Sequence, residues 1–254
     1  MSKQKTDWEA AGKWYDQAVG KEGHYYHQQV VIPNVLKLLE LTKTPTPALL
    51  DLACGQGVLS RALPPHVAYQ GVDGSPSLIS SAENRNKNKN HLFLSQDICT
   101  PLTLPSQFYT HATCILALQN LQYPERALQQ AARCLQAKGS FILVINHPCF
   151  RIPRQSHWGM DADKKIQYRR IDRYLSTLQI PLQVHPGKGS DSPTVWTYHY
   201  SLSMIVQFLV QAGFVIDCME EWTSDKKSTG PCAKWEDRAR TEFPLFLAIR
   251  AKKQ

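Results

Sequence analysis

Seven consecutive residues decide the fold: Asp51-Leu52-Ala53-Cys54-Gly55-Gln56-Gly57. Residues 48–53 have the apolar pattern of a short buried strand, and residues 56–63 have the pattern of a helix. The two glycines between them let the chain turn tightly and let ligand atoms approach the backbone. Because a helix N-terminus also presents unpaired N–H groups, this strand, turn and helix predict a site for a nucleotide-like ligand.

The acidic residues around this turn narrow the choice of ligand. Asp73 follows the next predicted strand, and the tips of the first two strands lie side by side in a doubly wound sheet. Asp73 is therefore expected to accept hydrogen bonds from both ribose hydroxyls. A dinucleotide site calls for a third glycine where this chain has Ser60. Asp51 disfavours pyrophosphate and suits an ammonium group, directly or through water. The pattern favours a nucleoside that carries an amino acid over NAD.

The pattern along the chain predicts three regions. Residues 1–47 form an N-terminal helical cap, because apolar residues recur there at helical spacing. Residues 48–146 and 201–254 alternate short apolar strands with helices, which predicts an α/β core built on a parallel sheet. Residues 147–200 show little periodicity and are rich in Pro, His, Trp, Arg and Tyr, so we expect an irregular insertion that acts as a substrate lid.

Five motifs resemble those of the class I, Rossmann-like methyltransferases, in the style of the ubiquinone and menaquinone methyltransferases and related small-molecule enzymes. They are Leu49-Leu-Asp-Leu-Ala-Cys-Gly-Gln-Gly57, Gly71-Val-Asp-Gly-Ser-Pro76, Gln96-Asp-Ile98, Leu116-Ala-Leu-Gln-Asn-Leu121 and Gln136-Ala-Lys-Gly139. The resemblance covers about residues 48–146, with a weaker match in the last two strands. It departs at Ala53, where many members have Gly, and at residues 137–139, where Pro-Gly-Gly is commoner.

The resemblance implies a mostly parallel seven-stranded sheet with an antiparallel last strand and helices on both faces. It also implies S-adenosylmethionine as the cofactor, with Asp97 near the adenine amino group. Alternatively, Asp97 is an ordinary loop-capping residue and Asn120 a loop amide. The predicted cofactor-binding residues are Asp51, Ala53, Gly55, Gly57, Asp73, Gly74, Asp97, Ile98, Leu116 and Asn120.

Two histidines are candidates for a catalytic base. Ligands in open α/β sheets bind beyond the carboxyl ends of the strands, so His147, directly after the fifth predicted strand, is the first candidate. His199, at the end of the insertion, is the second. An imidazole titrates near neutral pH and is able to accept a phenol or amine proton. In the alternative interpretation, each ring bonds a backbone carbonyl and shapes its loop.

The insertion also supplies candidates for substrate binding. Arg151 and Arg154 are expected to hold a carboxylate or phosphate through paired hydrogen bonds. Trp158 and Tyr168 are expected to wall an aromatic or prenylated substrate. Solvated arginines and ordinary aromatic packing are the alternatives for these two pairs.

Composition indicates where such a protein works. The seven cysteines are scattered, with no Cys-x-x-Cys pair and no Cys/His cluster, which predicts a reducing, cytoplasmic setting and no metal. The chain has no run of about 18 apolar residues, so no membrane span is expected. No apolar segment follows the charged N-terminus, so no secretory signal is expected.

The net charge of +8 raises the question of a nucleic-acid partner. After the fourth predicted strand, residues 118–124 lack the Asn/Asp-Pro-Pro-Tyr/Phe tetrad typical of enzymes that methylate exocyclic base amines. We therefore predict an enzyme that methylates a small-molecule acceptor and does not bind nucleic acid. The alternatives are an RNA or protein methyltransferase and a non-catalytic adaptor that binds S-adenosylmethionine.

Overall fold

The computed structural model describes residues 8–20, 23–183 and 194–254. The core helices and strands up to the insertion are α1 (Trp8–Val19), α2 (Ile32–Leu39), β1 (Ala48–Leu52), α3 (Val58–Ala62), β2 (Ala68–Asp73), α4 (Pro76–Arg85), β3 (His91–Ser95), β4 (Tyr109–Ile115), α5 (Pro124–Cys134) and β5 (Leu135–Asn146). They are followed by β6 (Ser156–Asp161), β7 (Ile166–Ile171), β8 (Leu178–Gln183), β9 (Thr194–His199), α6 (Leu202–Gln211), β10 (Phe214–Trp222), α7 (Ala233–Glu242) and β11 (Phe246–Lys253). Among these helices, none is long and apolar enough to cross a membrane.

The central sheet has seven strands in the order β10-β11-β5-β4-β1-β2-β3. Neighbouring strands from β5 to β3 run parallel, and β11 pairs antiparallel with both β5 and β10. The predicted sheet, including its antiparallel last strand, is confirmed. In this order β1 lies between β2 and β4, so the turn after β1 sits at the centre of one sheet edge.

Helices cover both faces of the sheet because its central strands are apolar on both sides. Residues of β5 illustrate this: Phe141 and Leu143 pack in the cluster beneath α5 and α6, while Ile142 and Val144 pack in the cluster beneath α2. Phe141 stacks on Phe214 with ring centroids 5.1 Å apart. A strand buried on both faces is typical of a parallel sheet with helices on each side.

A histidine buried at the start of β4 makes the stability of this core depend on pH. His111 is 5% exposed, and burial, with Lys252 nearby, lowers its pKa from 6.5 to about 4. The unfolded chain therefore binds a proton between pH 6.5 and 4 that the folded chain does not bind. We expect His111 to destabilise the fold as the pH falls through this window, by roughly 3 kcal/mol at its lower end.

Urea unfolding of the parent chain and of the His111→Phe variant, between pH 7 and 4, measures this effect. Asp51 has a raised pKa of about 6 and acts in the opposite direction in the same window, so the difference between the two proteins isolates the histidine. The variant should lose less of its free energy of unfolding on acidification than the parent does. Parallel pH profiles would contradict the assignment.

The insertion between β5 and α6 is more regular than its sequence suggests. It contains two antiparallel hairpins, β6–β7 and β8–β9. In the first, both faces are partly exposed, so apolar residues do not alternate strictly with polar ones. The Tyr168 ring instead covers Gly159 on the paired strand. Cross-strand packing of this kind leaves little periodic signal in the sequence.

The N-terminal helix α1 is attached to the core through polar contacts. Glu9 accepts hydrogen bonds from Ser75 and Ser77, at the start of α4. Arg85, at the end of α4, donates to Asp16 at 2.6 and 2.7 Å and also contacts the side chain of Gln56, in the turn after β1. Helix α1 is thereby held over the turn that decides the fold.

Candidate active site

A cavity of about 1110 Å³ opens at the carboxyl ends of the central strands. Ligands of open α/β sheets bind at this edge. Most residues predicted to bind the cofactor line the cavity together: Ala53, Gly55, Asp73, Gly74, Asp97, Ile98, Leu116 and Asn120. Asp51 and Gly57 do not line it.

Asp73 lies at the tip of β2 and joins this strand to the turn after β1. Its Oδ2 accepts a hydrogen bond from the Gly55 N–H at 2.9 Å, and its Oδ1 accepts one from the Ser75 N–H at 2.9 Å. Burial raises the pKa of Asp73, and the two N–H donors oppose this change. Because each carboxylate oxygen has about two acceptor directions, both oxygens retain one for a ligand in the cavity.

Two strand ends in the cavity wall adopt an unfavourable backbone conformation. Ala53 after β1 has φ 57° and Leu116 after β4 has φ 54°, both in the left-handed region. Non-glycine residues in such conformations cost of order 1–3 kcal/mol and cluster at functional sites. The strain turns the chain away from the sheet at the two points where the wall of the cavity is formed.

Gly57 is the last residue of the turn after β1, and it does not line the cavity. Its φ of 72° is left-handed, and a Cβ there would lie 3.0 Å from the Phe93 ring and 3.3 Å from Ala82. The glycine therefore lets α3 start close against α4. It shapes the turn and does not itself face the cavity.

Asp51 is held beneath the turn in a buried polar network. Its Oδ2 accepts from the Tyr69 hydroxyl and its Oδ1 from the Thr113 hydroxyl, both at 2.7 Å. Asp51 is 3% exposed, and burial raises its pKa to about 6. The direct contact with an ammonium group expected from the sequence is not supported, because the carboxylate is turned into the sheet and both its oxygens have partners.

Asp97, which follows β3, and Asn120, which follows β4, both line the cavity. Asp97 Oδ1 accepts a hydrogen bond from the Cys99 N–H at 2.9 Å, as a loop-capping aspartate does. The Asn120 amide lies 3.5 Å from the Leu116 carbonyl. Asp97 therefore caps its loop and also lines the cavity.

The chain is similar to known methyltransferases in sequence. A methyltransferase domain family matches residues 50–143. The ubiquinone biosynthesis O-methyltransferase of Coxiella burnetii is 32% identical over 154 residues, which cover 58% of this chain and 65% of the relative. The demethylmenaquinone methyltransferase of Chlamydia trachomatis is 30% identical over 104 residues, which cover 39% of this chain and 45% of the relative. The chain thus spans less than two thirds of the length of either relative.

Solved structures extend the likeness to the whole fold. A methyltransferase from Mesorhizobium loti, described as S-adenosylmethionine dependent, superposes with a TM-score of 0.67 at 23% identity, covering 87% of this chain and 96% of that one. One from Clostridium acetobutylicum superposes with a TM-score of 0.60 at 19% identity, covering 97% and 98%. The chain has the fold of these methyltransferases. The unfilled acceptor directions of Asp73 suit the hydroxyl groups of a ribose.

His147 does not line the large cavity. It is 2% exposed, its Nε2 lies 2.6 Å from Glu221 Oε1, and its Nδ1 accepts from the Cys149 N–H at 3.2 Å. Burial lowers the pKa of His147, although Glu221 opposes this change. Both ring nitrogens are occupied, so the predicted base does not reach the methyl group and instead joins the start of the insertion to β10.

His199 also bonds the backbone and does not line the large cavity. Its Nε2 donates to the Tyr174 carbonyl at 2.7 Å, and the ring is 4% exposed beside a small pocket of about 30 Å³. Burial lowers the pKa of His199, and the contact with Tyr174 opposes this change. This is the backbone-bonded arrangement that was the alternative to a catalytic role.

The predicted substrate residues of the insertion do not line the large cavity. Arg151 lines the small pocket, and Arg154 is exposed. Trp158 packs edge-on against Phe243, and Tyr168 covers its partner strand. The structure therefore gives these four residues no contact with a ligand held by Asp73. Among the described residues, no group of three or more His, Cys, Asp and Glu side chains is placed to hold a metal.

The N-terminal segment forms a wall of the large cavity that the sequence did not reveal. Trp14, Tyr15, Tyr26 and His27 line it, opposite the strand tips. Burial, with the charge of Asp73, raises the pKa of Tyr15 to about 12, which keeps this phenol neutral. Aromatic residues at helical spacing in residues 8–26 were the available signal, but the same pattern is typical of core packing.

His27, unlike His147 and His199, lies in the wall of the large cavity. It lines the cavity, and its Nδ1 is buried without a hydrogen-bond partner. An unmade hydrogen bond at a buried polar atom costs about 1–3 kcal/mol. Burial, with His24 nearby, lowers the pKa of His27 to about 4, so the ring is neutral at physiological pH.

Proposed function

We propose that this chain transfers the methyl group of S-adenosylmethionine to a small-molecule acceptor bound in the same cavity. The observation that carries the proposal is that one cavity is lined both by Asp73 and Asp97 and by the aromatic residues Tyr26, Tyr198 and Phe246. Ligand pockets of about 300–1,000 Å³ hold one drug-sized molecule. A cavity of about 1110 Å³ therefore has room for the cofactor and a second small molecule.

The residues at the first end are assigned to the cofactor. Asp73 accepts hydrogen bonds from the ribose hydroxyls, and Asp97 accepts one from the adenine amino group. The turn that ends at Gly57 lies against the methionine portion. When bound, S-adenosylmethionine supplies an electrophilic methyl group on a positively charged sulfur.

The residues at the second end orient the acceptor and exclude water. Tyr26 and Phe246 meet edge to face, with ring centroids 5.9 Å apart, and Tyr198 also lines the cavity. Much of the acceleration of methyl transfer comes from holding the two reactants in line. An apolar, aromatic wall suits a planar acceptor. The names of the relatives from Coxiella and Chlamydia, which refer to ubiquinone and menaquinone, support an acceptor of this kind.

The N-terminal wall of the cavity favours a small acceptor over RNA or protein. Helix α1 and the residues that follow it cover the site, and the exposed basic residues of the insertion, such as Arg154, lie away from it. A non-catalytic adaptor would share the cofactor contacts but would not need a second aromatic end.

The experiment that tests the proposal has two stages. Calorimetry should show that the chain binds S-adenosylhomocysteine and not NAD. Incubation with S-adenosylmethionine and an extract of small molecules, followed by mass spectrometry, should then show a product heavier by one methylene group and an equal amount of S-adenosylhomocysteine. Binding without any product, across fractions of small molecules, RNA and protein, would instead identify an adaptor.

A further inference from the structure

The imidazole of His27 lies in the wall of the cavity, and one of its nitrogens has no hydrogen-bond partner. It lines the cavity beside Tyr26, and its Nδ1 is buried without a partner. We propose that His27 accepts the proton of an acceptor hydroxyl during methyl transfer, and that the acceptor is a phenol. This inference rests on the proposed function and deepens it, because it names the class of acceptor and the group that receives its proton.

An irregular turn of helix places His27 in the cavity wall. Residues His27–Val31 form a π-helical turn, a rare conformation that is frequent at functional sites. Gly23, at φ 98°, lies directly behind the ring: a Cβ there would be 3.1 Å from the His27 Cβ and 2.9 Å from Val58. The absence of a side chain at Gly23 thus allows the turn to pack against the first residue of α3, next to the cofactor turn.

The neighbouring residues fix this turn from both sides. The Tyr26 hydroxyl lies 3.0 Å from Ser224 Oγ, and its ring meets Phe246 on β11. Gln28 Nε2 donates to the Gly23 carbonyl at 2.6 Å. None of these contacts uses the His27 ring, so they set its position and leave its nitrogens to a ligand.

The other histidine, aspartate and glutamate side chains that line the cavity already have hydrogen-bond partners. Asp73 and Asp97 accept backbone N–H groups, and Glu9 accepts from Ser75 and Ser77. His24 is exposed, and its Nδ1 accepts from the Tyr26 N–H at 3.4 Å. Among the described histidines, aspartates and glutamates that line the cavity, His27 is the one whose buried polar atom is unpartnered.

The proposed step balances in atoms and charge. The phenol oxygen attacks the methyl carbon, the C–O bond forms as the S–C bond breaks, and the S–C electron pair remains on sulfur, giving neutral S-adenosylhomocysteine. The hydroxyl proton passes to the neutral imidazole of His27. The positive charge therefore moves from the sulfonium to the imidazolium, which then releases its proton to solvent.

The low basicity of His27 suits this timing. Burial lowers its pKa to about 4, so the ring is neutral and ready to accept a proton at physiological pH. As the C–O bond forms, the oxygen becomes electron-poor and its proton becomes strongly acidic. A weak base is then strong enough to take the proton, and a neutral ring does not repel the sulfonium beforehand.

The aromatic residues beside His27 indicate a phenol in place of an aliphatic alcohol. Tyr26 and Phe246 present an edge-to-face pair at this end, and Trp14 faces the cavity from α1. Aromatic rings pair favourably in offset or edge-on geometries. His27 follows Tyr26 directly in the chain and lines the same cavity, so a hydroxylated ring packed against Tyr26 has this imidazole close by.

The test uses the full chain, a panel of phenols and 4-substituted catechols as acceptor probes, and the His27→Ala variant. Loss of a general base lowers turnover by about 10²–10⁴-fold. With the probe that the parent chain methylates best, kcat of the variant should therefore fall by at least about 100-fold. Calorimetry should show S-adenosylhomocysteine affinity within about twofold of the parent. Added imidazole should restore part of the lost turnover, which replacement of a merely structural ring would not allow.

Two further variants complete the experiment. Gln29→Ala, on an exposed residue of the same turn, is the matched control and should keep full activity. If His27→Ala does not fold, His27→Gln keeps most of the side-chain volume without a basic nitrogen and should show the same loss of kcat.

The outcomes separate this inference from the proposed function. Activity of the His27 variant within about threefold of the parent, or loss that imidazole does not restore in His27→Ala, overturns the role of His27. A parent chain that binds S-adenosylhomocysteine but methylates no phenolic probe overturns the phenol class and leaves the proposed function standing. A parent chain that does not bind S-adenosylhomocysteine overturns the proposed function itself.

Discussion

Asp73→Ala should weaken binding of S-adenosylhomocysteine by at least about 100-fold, because each lost charge-assisted hydrogen bond to a ribose hydroxyl costs roughly 1.5–3 kcal/mol. The substitution also removes the acceptor for the Gly55 and Ser75 N–H groups, so the turn after β1 loses the contact that fixes it. Isothermal titration calorimetry of the folded variant measures the change. The effect is expected to be the largest that any single side chain has on the cofactor end.

Two comparisons make this result specific. Asp73→Asn keeps the size of the side chain and loses its charge, so its affinity should lie between those of the parent and Asp73→Ala. Asp163→Ala, in the exposed tip of the β6–β7 hairpin, should bind as the parent does. An Asp73→Ala variant that keeps its thermal transition and binds with unchanged affinity would remove Asp73 from the cofactor site.

Asp51→Ala should cause the largest loss of stability among the polar residues near the turn. The variant leaves the Tyr69 and Thr113 hydroxyls buried without their acceptor, at about 1–3 kcal/mol for each unsatisfied group. We expect the free energy of unfolding to fall by roughly 2–4 kcal/mol, measured by urea denaturation. The network lies directly under the turn, so the affinity for S-adenosylhomocysteine should fall as well.

The double variant Tyr69→Phe/Thr113→Val is the informative comparison for Asp51. It removes both donors and leaves the carboxyl group, so it should also destabilise the chain, and the two sets of substitutions should not add. If Asp51→Ala instead keeps the stability of the parent and loses cofactor affinity alone, the carboxylate acts on the ligand and the buried network is not its main role.

The parallel sheet could be predicted because short apolar strands alternate with helices, and the antiparallel last strand because the motifs resemble those of a known fold. The hairpins of the insertion could not be predicted, since β6 and β7 are held by pairs such as Gly159 and Tyr168 and not by a buried apolar stripe. Helix α7 was not predicted for a similar reason. Ala239 is its buried residue, so apolar residues do not recur at helical spacing in its sequence.

The cofactor end of the site was readable because its residues stand at the tips of successive strands. Asp73 ends β2 and Asp97 lies two residues after β3, and these two strands are neighbours in the sheet. Asp51 shows the limit of this reasoning. It lies within β1, where alternate side chains point to opposite faces. The sequence does not show that the Tyr69 and Thr113 hydroxyls donate hydrogen bonds to its carboxylate.

The acceptor end was not readable because its wall comes from distant parts of the chain. His147 was predicted from its place after β5, but the backbone turns there and the ring packs against Glu221. His27 lies more than 100 residues earlier in the sequence and reaches the cavity only because the N-terminal segment folds over the strand tips. The role of each histidine in the reaction stays a prediction until the variants are measured.

The position of β11 has a consequence for the order in which the chain folds. This strand comes after all the others in sequence, yet it lies between β5 and β10. While the chain emerges from the ribosome, one edge of the apolar strand β5 therefore has no partner until residues 246–253 have been made. An unpaired apolar strand edge promotes aggregation. Shortening β11 should thus lower the yield of folded protein far more than a change of similar length at the solvent-exposed tip of a hairpin.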